Sequence, residues 1–145
     1  MELTSWRDRL KRETKLRVYG ALTENLARRV AQRTGDAAFL SWLSEVGGES
    51  EVIGLVRQFV ATEVSVLLRV SSLHGPEQGL VELARVRRAV RSALVGWQPT
   101  YTDGGEELHA EEVEFRRGQA IAVDPKGVQW WQDVYATRYL ITEEA

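Results

Sequence analysis

Between Glu63 and Ser71 the chain alternates at every second position, with Val64, Val66, Leu68 and Val70 on one side and Glu63, Ser65, Leu67, Arg69 and Ser71 on the other. Successive side chains of an extended strand point to opposite faces, so the pattern predicts a strand with one buried face. Such a strand is not stable alone and requires a sheet with a layer covering it. The stretch before it, VIGLVRQF (52–59), is also strand-like. A turn near Arg57 to Ala61 would make the two a meander.

Helical periodicity flanks this region. From Leu16 to Arg33 the apolar residues Tyr19, Leu22, Leu26 and Val30 recur at helical spacing, with Gly35 as a stop. From Glu77 to Leu94 a second stripe of Leu83, Val86, Val90 and Leu94 forms one face, and Arg85, Arg88 and Arg91 fall opposite. Residues 36–50 fit either a short helix or a strand ending at Gly47-Gly48. After Gly96-Trp97-Gln98-Pro99 closes the second helix, Asp103-Gly104-Gly105 marks a turn. A strand is expected from Glu106 to Arg117, with His109, Val113 and Phe115 on one face. Asp124-Pro125-Lys126-Gly127 then turns into a long last strand, Val128 to Thr142. That strand carries Trp131, Tyr135 and Tyr139 on odd positions and Trp130, Val134 and Leu140 on even ones. One face can pack on helices, and a subunit interface is a natural cover for the other.

The order predicts an α+β fold, an antiparallel sheet with helices packed on one face, running helix, strands, helix, strand hairpin. Residues 1–15, with Trp6 and Leu10 four apart among charges, form a short amphipathic helix or arm. Residues 16–145 make a single domain, in keeping with 145 residues of which 43% are hydrophobic and 28% charged. The chain has no cysteine, which excludes disulfides, thiolate metal sites and cysteine nucleophiles. Its longest nearly apolar run, Val64 to Val70, falls short of the ~18–20 residues of a membrane helix, so no membrane partner is expected. The basic N-terminus is not followed by the apolar stretch of a signal peptide, which points to cytosolic assembly. The net charge of -2 hides a gradient: residues 1–33 hold nine Lys/Arg against four Asp/Glu, and residues 103–145 hold four against ten. Unlike ends suit head-to-tail contact between copies.

Chemistry is sparse. His109 would share a strand face with Glu107 and Glu111, but a solvated acidic strand explains the spacing better than a metal site. His74, in a Leu-His-Gly-Pro turn, is a surface or capping residue. Glu111, Glu112 and Glu114 lack the buried, raised-pKa acid that a hydrolytic carboxylate pair needs. No nucleophile elbow, P-loop, dinucleotide glycine pattern or HExxH occurs. No catalytic, cofactor or metal residue is therefore assigned. The basic cluster Arg85, Arg87, Arg88 and Arg91 could meet phosphates, as in a nucleic-acid-binding regulator that also uses Trp6 and the N-terminal basics. It could equally pair with acidic side chains across a subunit contact.

The stretch from residue 51 to 142 resembles the tail-terminator, or tail-completion, proteins of long-tailed phages, especially the small proteins of Mu-like phages and prophages. The resemblance is carried by VSVLLRVSSLHG (64–75), by GLVELARVRRAVRSALVGWQP (79–99) with Ala93, Leu94, Gly96, Trp97 and Pro99, and by EEVEFRRGQAIAVDPKGVQWWQDVYATRYLIT (111–142). Residues 1–15 have no counterpart in it. It implies a structural protein forming a ring, a hexamer, at the head-proximal end of the tail tube, where it stops tube growth and meets head-completion proteins. Another ring-forming head-tail or tube component is the neighbouring reading. DNA would pass through the lumen without specific binding, and part of Glu106 to Glu114 would face the lumen or the tube. The interface residues expected on this reading are Trp130, Trp131, Tyr135, Tyr139, Arg85, Arg88, Arg91, Glu111, Glu112 and Glu114.

Overall fold

The computed structural model describes residues 1–20, 35–50, 52–71, 75–123 and 127–144. The elements are α1 (Thr4–Glu13), β1 (Arg17–Tyr19), β2 (Ala37–Gly47), β3 (Leu55–Ser71), α2 (Pro76–Leu94), β4 (Thr100–Asp103), β5 (Glu106–His109), β6 (Glu114–Val123) and β7 (Val128–Glu144). The main sheet has the order β1-β2-β3-β7-β6, and β4 and β5 form a small antiparallel pair. The α+β class follows. The sheet is antiparallel except at its margin, where β1 runs parallel to β2 over three residues.

β3 alternates as expected, and Val64, Val66, Leu68 and Val70 are all buried. It does not turn near Arg57. Residues 55–71 form one 17-residue strand paired with β7 along its whole length, from Leu55 opposite Glu144 to Ser71 opposite Val128. Residues Arg57 to Ala61, where the turn is expected, pair with β7 in the same register as the rest of the strand, which holds the backbone extended there, so that turn is absent. The open choice at residues 36–50 resolves as strand β2, with Ala37 to Leu40 buried and the bulge at Leu43 shifting the register against β3. The helix expected from Leu16 begins instead as strand β1 at Arg17–Tyr19. Residues 21–33 of that expected helix lie outside those described, as do His74 and the Asp124 to Lys126 turn.

The helix-facing side of the sheet holds the main core: Val18, Ala38, Leu40, Val64, Val66, Leu68, Val70 and Tyr135 meet Trp6 and Leu10 of α1 and Leu83, Val86, Val90, Ala93 and Leu94 of α2. The stripe predicted for α2 is therefore the buried one. α2 starts cleanly because Gly75 takes φ 94, a left-handed backbone, before Pro76 in the first turn. α1 is not peripheral. Trp6 and Leu10 are fully buried, Trp6 meets Trp97 edge-on at 5.7 Å, and Arg9 Nε donates to Ala93 O at 2.9 Å. Four-residue spacing puts both apolar side chains on one face of α1, and the charges between them face out. On the opposite face of the sheet Tyr19, Phe39 and Trp130 stack, with centroids 5.1 and 5.9 Å apart.

Candidate assembly interface

The aromatics of β7 divide between core and margin. Tyr135 is fully buried in the main core, in edge contact with Phe115. Burial pushes its phenol pKa well up, and among the described residues its hydroxyl has no hydrogen-bond partner. Tyr139 is buried in a smaller cluster with Val60, Tyr101 and Ala110. Its hydroxyl donates to Glu45 at 2.5 Å and accepts from the N-terminal ammonium at 3.1 Å. Trp131 is partly buried, donating Nε1–H to Asp133 at 2.8 Å beneath the Arg87 guanidinium, which lies 4.4 Å from its ring. Trp130, on the other face, stacks on Phe39. The odd-numbered aromatics are thus engaged by the subunit's own helices and loops.

The arginines of α2 have different fates. Arg87 donates from Nε and Nη2 to Asp133, both at 2.9 Å, and Asp133 is only 1% exposed. The bidentate pair raises the guanidinium pKa. Arg85 pairs with Glu82 and reaches Asp36 at 3.9 Å. Burial, the leading cause, raises the Asp36 carboxyl pKa against the opposing Ser71 N–H. Arg88 and Arg91 are exposed on the helix surface. The patch that looked continuous in sequence is therefore split, with Arg87 turned inward.

The expected strand from Glu106 to Arg117 is interrupted. β5 ends at His109, residues 110–113 leave the strand, and β6 starts at Glu114. Two orthogonal demands cause the break. Val113 is buried and exchanges backbone hydrogen bonds with the 96–97 turn, while Glu111 N–H donates to Arg138 O at 2.8 Å. Glu107, His109 and Glu111 accordingly do not line one strand face. Among the described residues no three His, Asp or Glu side chains gather as a metal site would require. The same break brings Glu111 to the side of Glu112 and Glu114, from which it would face away on a regular strand. They line a shallow cleft of about 280 Å³ with Arg116, Ala136, Thr137 and Arg138. Arg138 grips Glu111 through two hydrogen bonds of 2.8 and 2.7 Å and holds its carboxyl below the usual range. Arg116 lies 2.8 Å from Glu114.

Periodicity alone did not mark the two exposed margins of the sheet. Among the described residues, exposed large apolar side chains gather on and around the β2–β3 hairpin, at Trp42, Leu43, Val46, Val52, Ile53, Val56 and Phe59, and on β6, at Phe115, Ile121 and Val123. Every residue of β6 is exposed. A third, smaller set comprises Leu80 and Val81 on α2 and Val95 after it. The signal available in sequence was the uncharged run Gly118 to Val123, but its exposure depends on β6 being last in the sheet.

A search of curated proteins finds no match to this sequence. Among solved structures, a chain described as "Virion of native gene transfer agent (GTA) particle" aligns at 17% identity over 83% of this chain and 76% of that one, with a TM-score of 0.47. The family model described as "Phage tail terminator protein" matches residues 3–145, so the match takes in the N-terminal helix for which the motifs offered no counterpart. With its helix-covered sheet and its exposed apolar margins, the chain belongs to the phage tail terminator family, structural proteins of the virion tail.

Proposed function

We propose that this tail terminator closes into a ring, a hexamer, that caps the head-proximal end of the tail tube, stops its growth and joins it to head-completion proteins. The observation that carries the reading is the clustering of exposed apolar side chains at the β2–β3 hairpin and on β6, at the two sides of one sheet, in a member of this family. A subunit sticky at two separate places suits a heterologous contact, and heterologous contacts close into rings when the rotation is right. The ring assembles in the host cytoplasm. The cleft of Glu111, Glu112 and Glu114 faces the tube or the lumen.

DNA passes through without specific binding. Support comes from the pairing of charges on the exposed sheet face: among the described residues Arg117 is paired with Glu63 at 2.8 Å and Arg138 with Glu111 at 2.7 Å, which lowers the pull of that face on phosphates. A DNA-reading role for the α2 arginines loses ground because Arg87 is committed to Asp133 and Arg85 to Glu82.

Particle mass in solution, followed by electron microscopy of the protein alone and added to growing tail tubes, tests the proposal. Ring-shaped particles and tubes that stop lengthening are expected. A protein that stays monomeric both free and with tubes, and leaves tube length unchanged, overturns it.

A further inference from the structure

We infer that neighbouring copies join by strand addition, the outer edge of β6 in one copy pairing antiparallel with the edge of β2 at residues 41–47 in the next. This rests on the ring reading and specifies its contact. Among the described residues no strand pairs with the outer edge of β6, which ends the sheet. Its second half, Gly118 to Val123, has no charge and no proline, and Ile121 and Val123 are 51% and 71% exposed. Solvent-exposed edges are normally guarded by charge, proline or bulges; the one such guard in this segment is the bulge at Ile121, which turns that apolar side chain outward, and an otherwise uncharged edge supports a covering strand. At the other margin β1 covers only Ala37 to Phe39 of β2. Beyond it, among the described residues, no strand pairs with this edge of β2, which carries the exposed Trp42, Leu43 and Val46.

The second copy is chosen as occupant because the two edges fit each other in direction and in position. β2, β3, β7 and β6 are successively antiparallel, so β6 runs opposite to β2. A head-to-tail repeat therefore presents them antiparallel.

Position follows from the register. Ala120 lies opposite Trp131, Trp131 opposite Leu68, and Leu68 opposite Ala38, which puts the middle of the open β6 segment level with Ala38. The middle of the open β2 segment, Ser44, lies opposite Glu63, five β3 positions away from Leu68. At ~3.3 Å per residue the stagger is about 17 Å, and four strands at ~4.8 Å span about 19 Å. Strands tilted by about 40° to the ring axis bring the segments together, inside the range of about 35–45° found in closed sheets. With a right-handed β3–α2–β6 connection and right-handed winding of the strands, the stagger has the required sense when the helices lie outside.

The absence of cysteine and the exposure of Ile121 allow a clean test. With the photo-crosslinker p-benzoylphenylalanine in place of Ile121 in the full chain, irradiated oligomer, free or on tail tubes, should yield peptides linked to residues 41–47. Ile121→Lys and Val123→Lys should each weaken association by more than about tenfold while circular dichroism and the melting midpoint of the monomer stay unchanged. Rings that crosslink through β6 to β6 or to another surface, or that persist in both lysine variants, overturn this contact and leave the ring reading standing. Absence of any oligomer, free or on tubes, overturns both.

Discussion

Gly118→Ala is expected to destabilise the monomer although Gly118 needs no special backbone angle. A methyl group there would overlap Asp133 Oδ1 and would lie 2.9 Å from Arg87 Nη2 and 3.0 Å from Trp131 Nε1. Asp133 is buried and accepts three hydrogen bonds, two from Arg87 and one from Trp131, so the carboxylate cannot move without disturbing them. Losing one or two hydrogen bonds to a charged group costs about 1.5–3 kcal/mol each, and replacing a strand glycine returns roughly 0.5–1 kcal/mol. The expected net cost is about 0.5–2.5 kcal/mol if one bond is lost and about 2–5.5 kcal/mol if two are, read as a lower urea midpoint with unchanged m. The decisive comparison is the same substitution in an Asp133→Ala background, where the obstructing carboxylate is gone. Asp133→Ala alone should cost about 3–5 kcal/mol because it strands the guanidinium over Trp131. Adding Gly118→Ala should then cost nothing or stabilise slightly. Equal costs in the two backgrounds would show that Gly118 and Asp133 are uncoupled and would refute the steric argument.

Three further outcomes follow from the packing. Tyr135→Phe removes a buried hydroxyl without a hydrogen-bond partner among the described residues, so thermal unfolding should show unchanged or slightly higher stability; a loss above ~1 kcal/mol would mean the hydroxyl is satisfied in solution. Trp6→Ala should cost about 3–5 kcal/mol by urea unfolding, as for a core tryptophan, whereas a value below ~0.5 kcal/mol would return residues 1–15 to the status of an arm. Asp36 has a folded-state pKa above its ordinary 3.8, chiefly through burial, so its charged form opposes folding. That penalty is absent below the ordinary value and appears as pH rises through the folded one. The melting point of Asp36→Asn relative to the parent should therefore improve from acid toward neutral pH, and the opposite trend would contradict the assignment.

Local patterns made part of this architecture legible. Two-residue alternation located the buried face of β3 and four-residue stripes located the buried face of α2, because burying one face of a regular element leaves its period in the chain. The arginines of α2 show where periodicity stops. Arg85, Arg88 and Arg91 fall opposite the apolar stripe and Arg87 borders it beside Leu83 and Leu94, but no period shows that Arg87 reaches an aspartate 46 residues away while Arg88 and Arg91 meet solvent. The acidic residues show the converse, since Glu111 joins Glu112 and Glu114 in one cleft where Val113 and the 96–97 turn interrupt the strand.

Periodicity in the chain was enough to place the 63–71 part of β3 and the whole of α2 and to pick out their apolar faces, and composition was enough to exclude cysteine chemistry. Tertiary structure alone decided that β3 runs unbroken against β7, that Trp6 and Tyr135 are core, that Gly118 must lack a side chain, and that β6 and the far half of β2 are the open edges. The physical reason is that burial periodicity is local, whereas strand order is set by pairings between residues far apart in the chain. An edge is defined by the neighbour it lacks, and no residue within the strand encodes that.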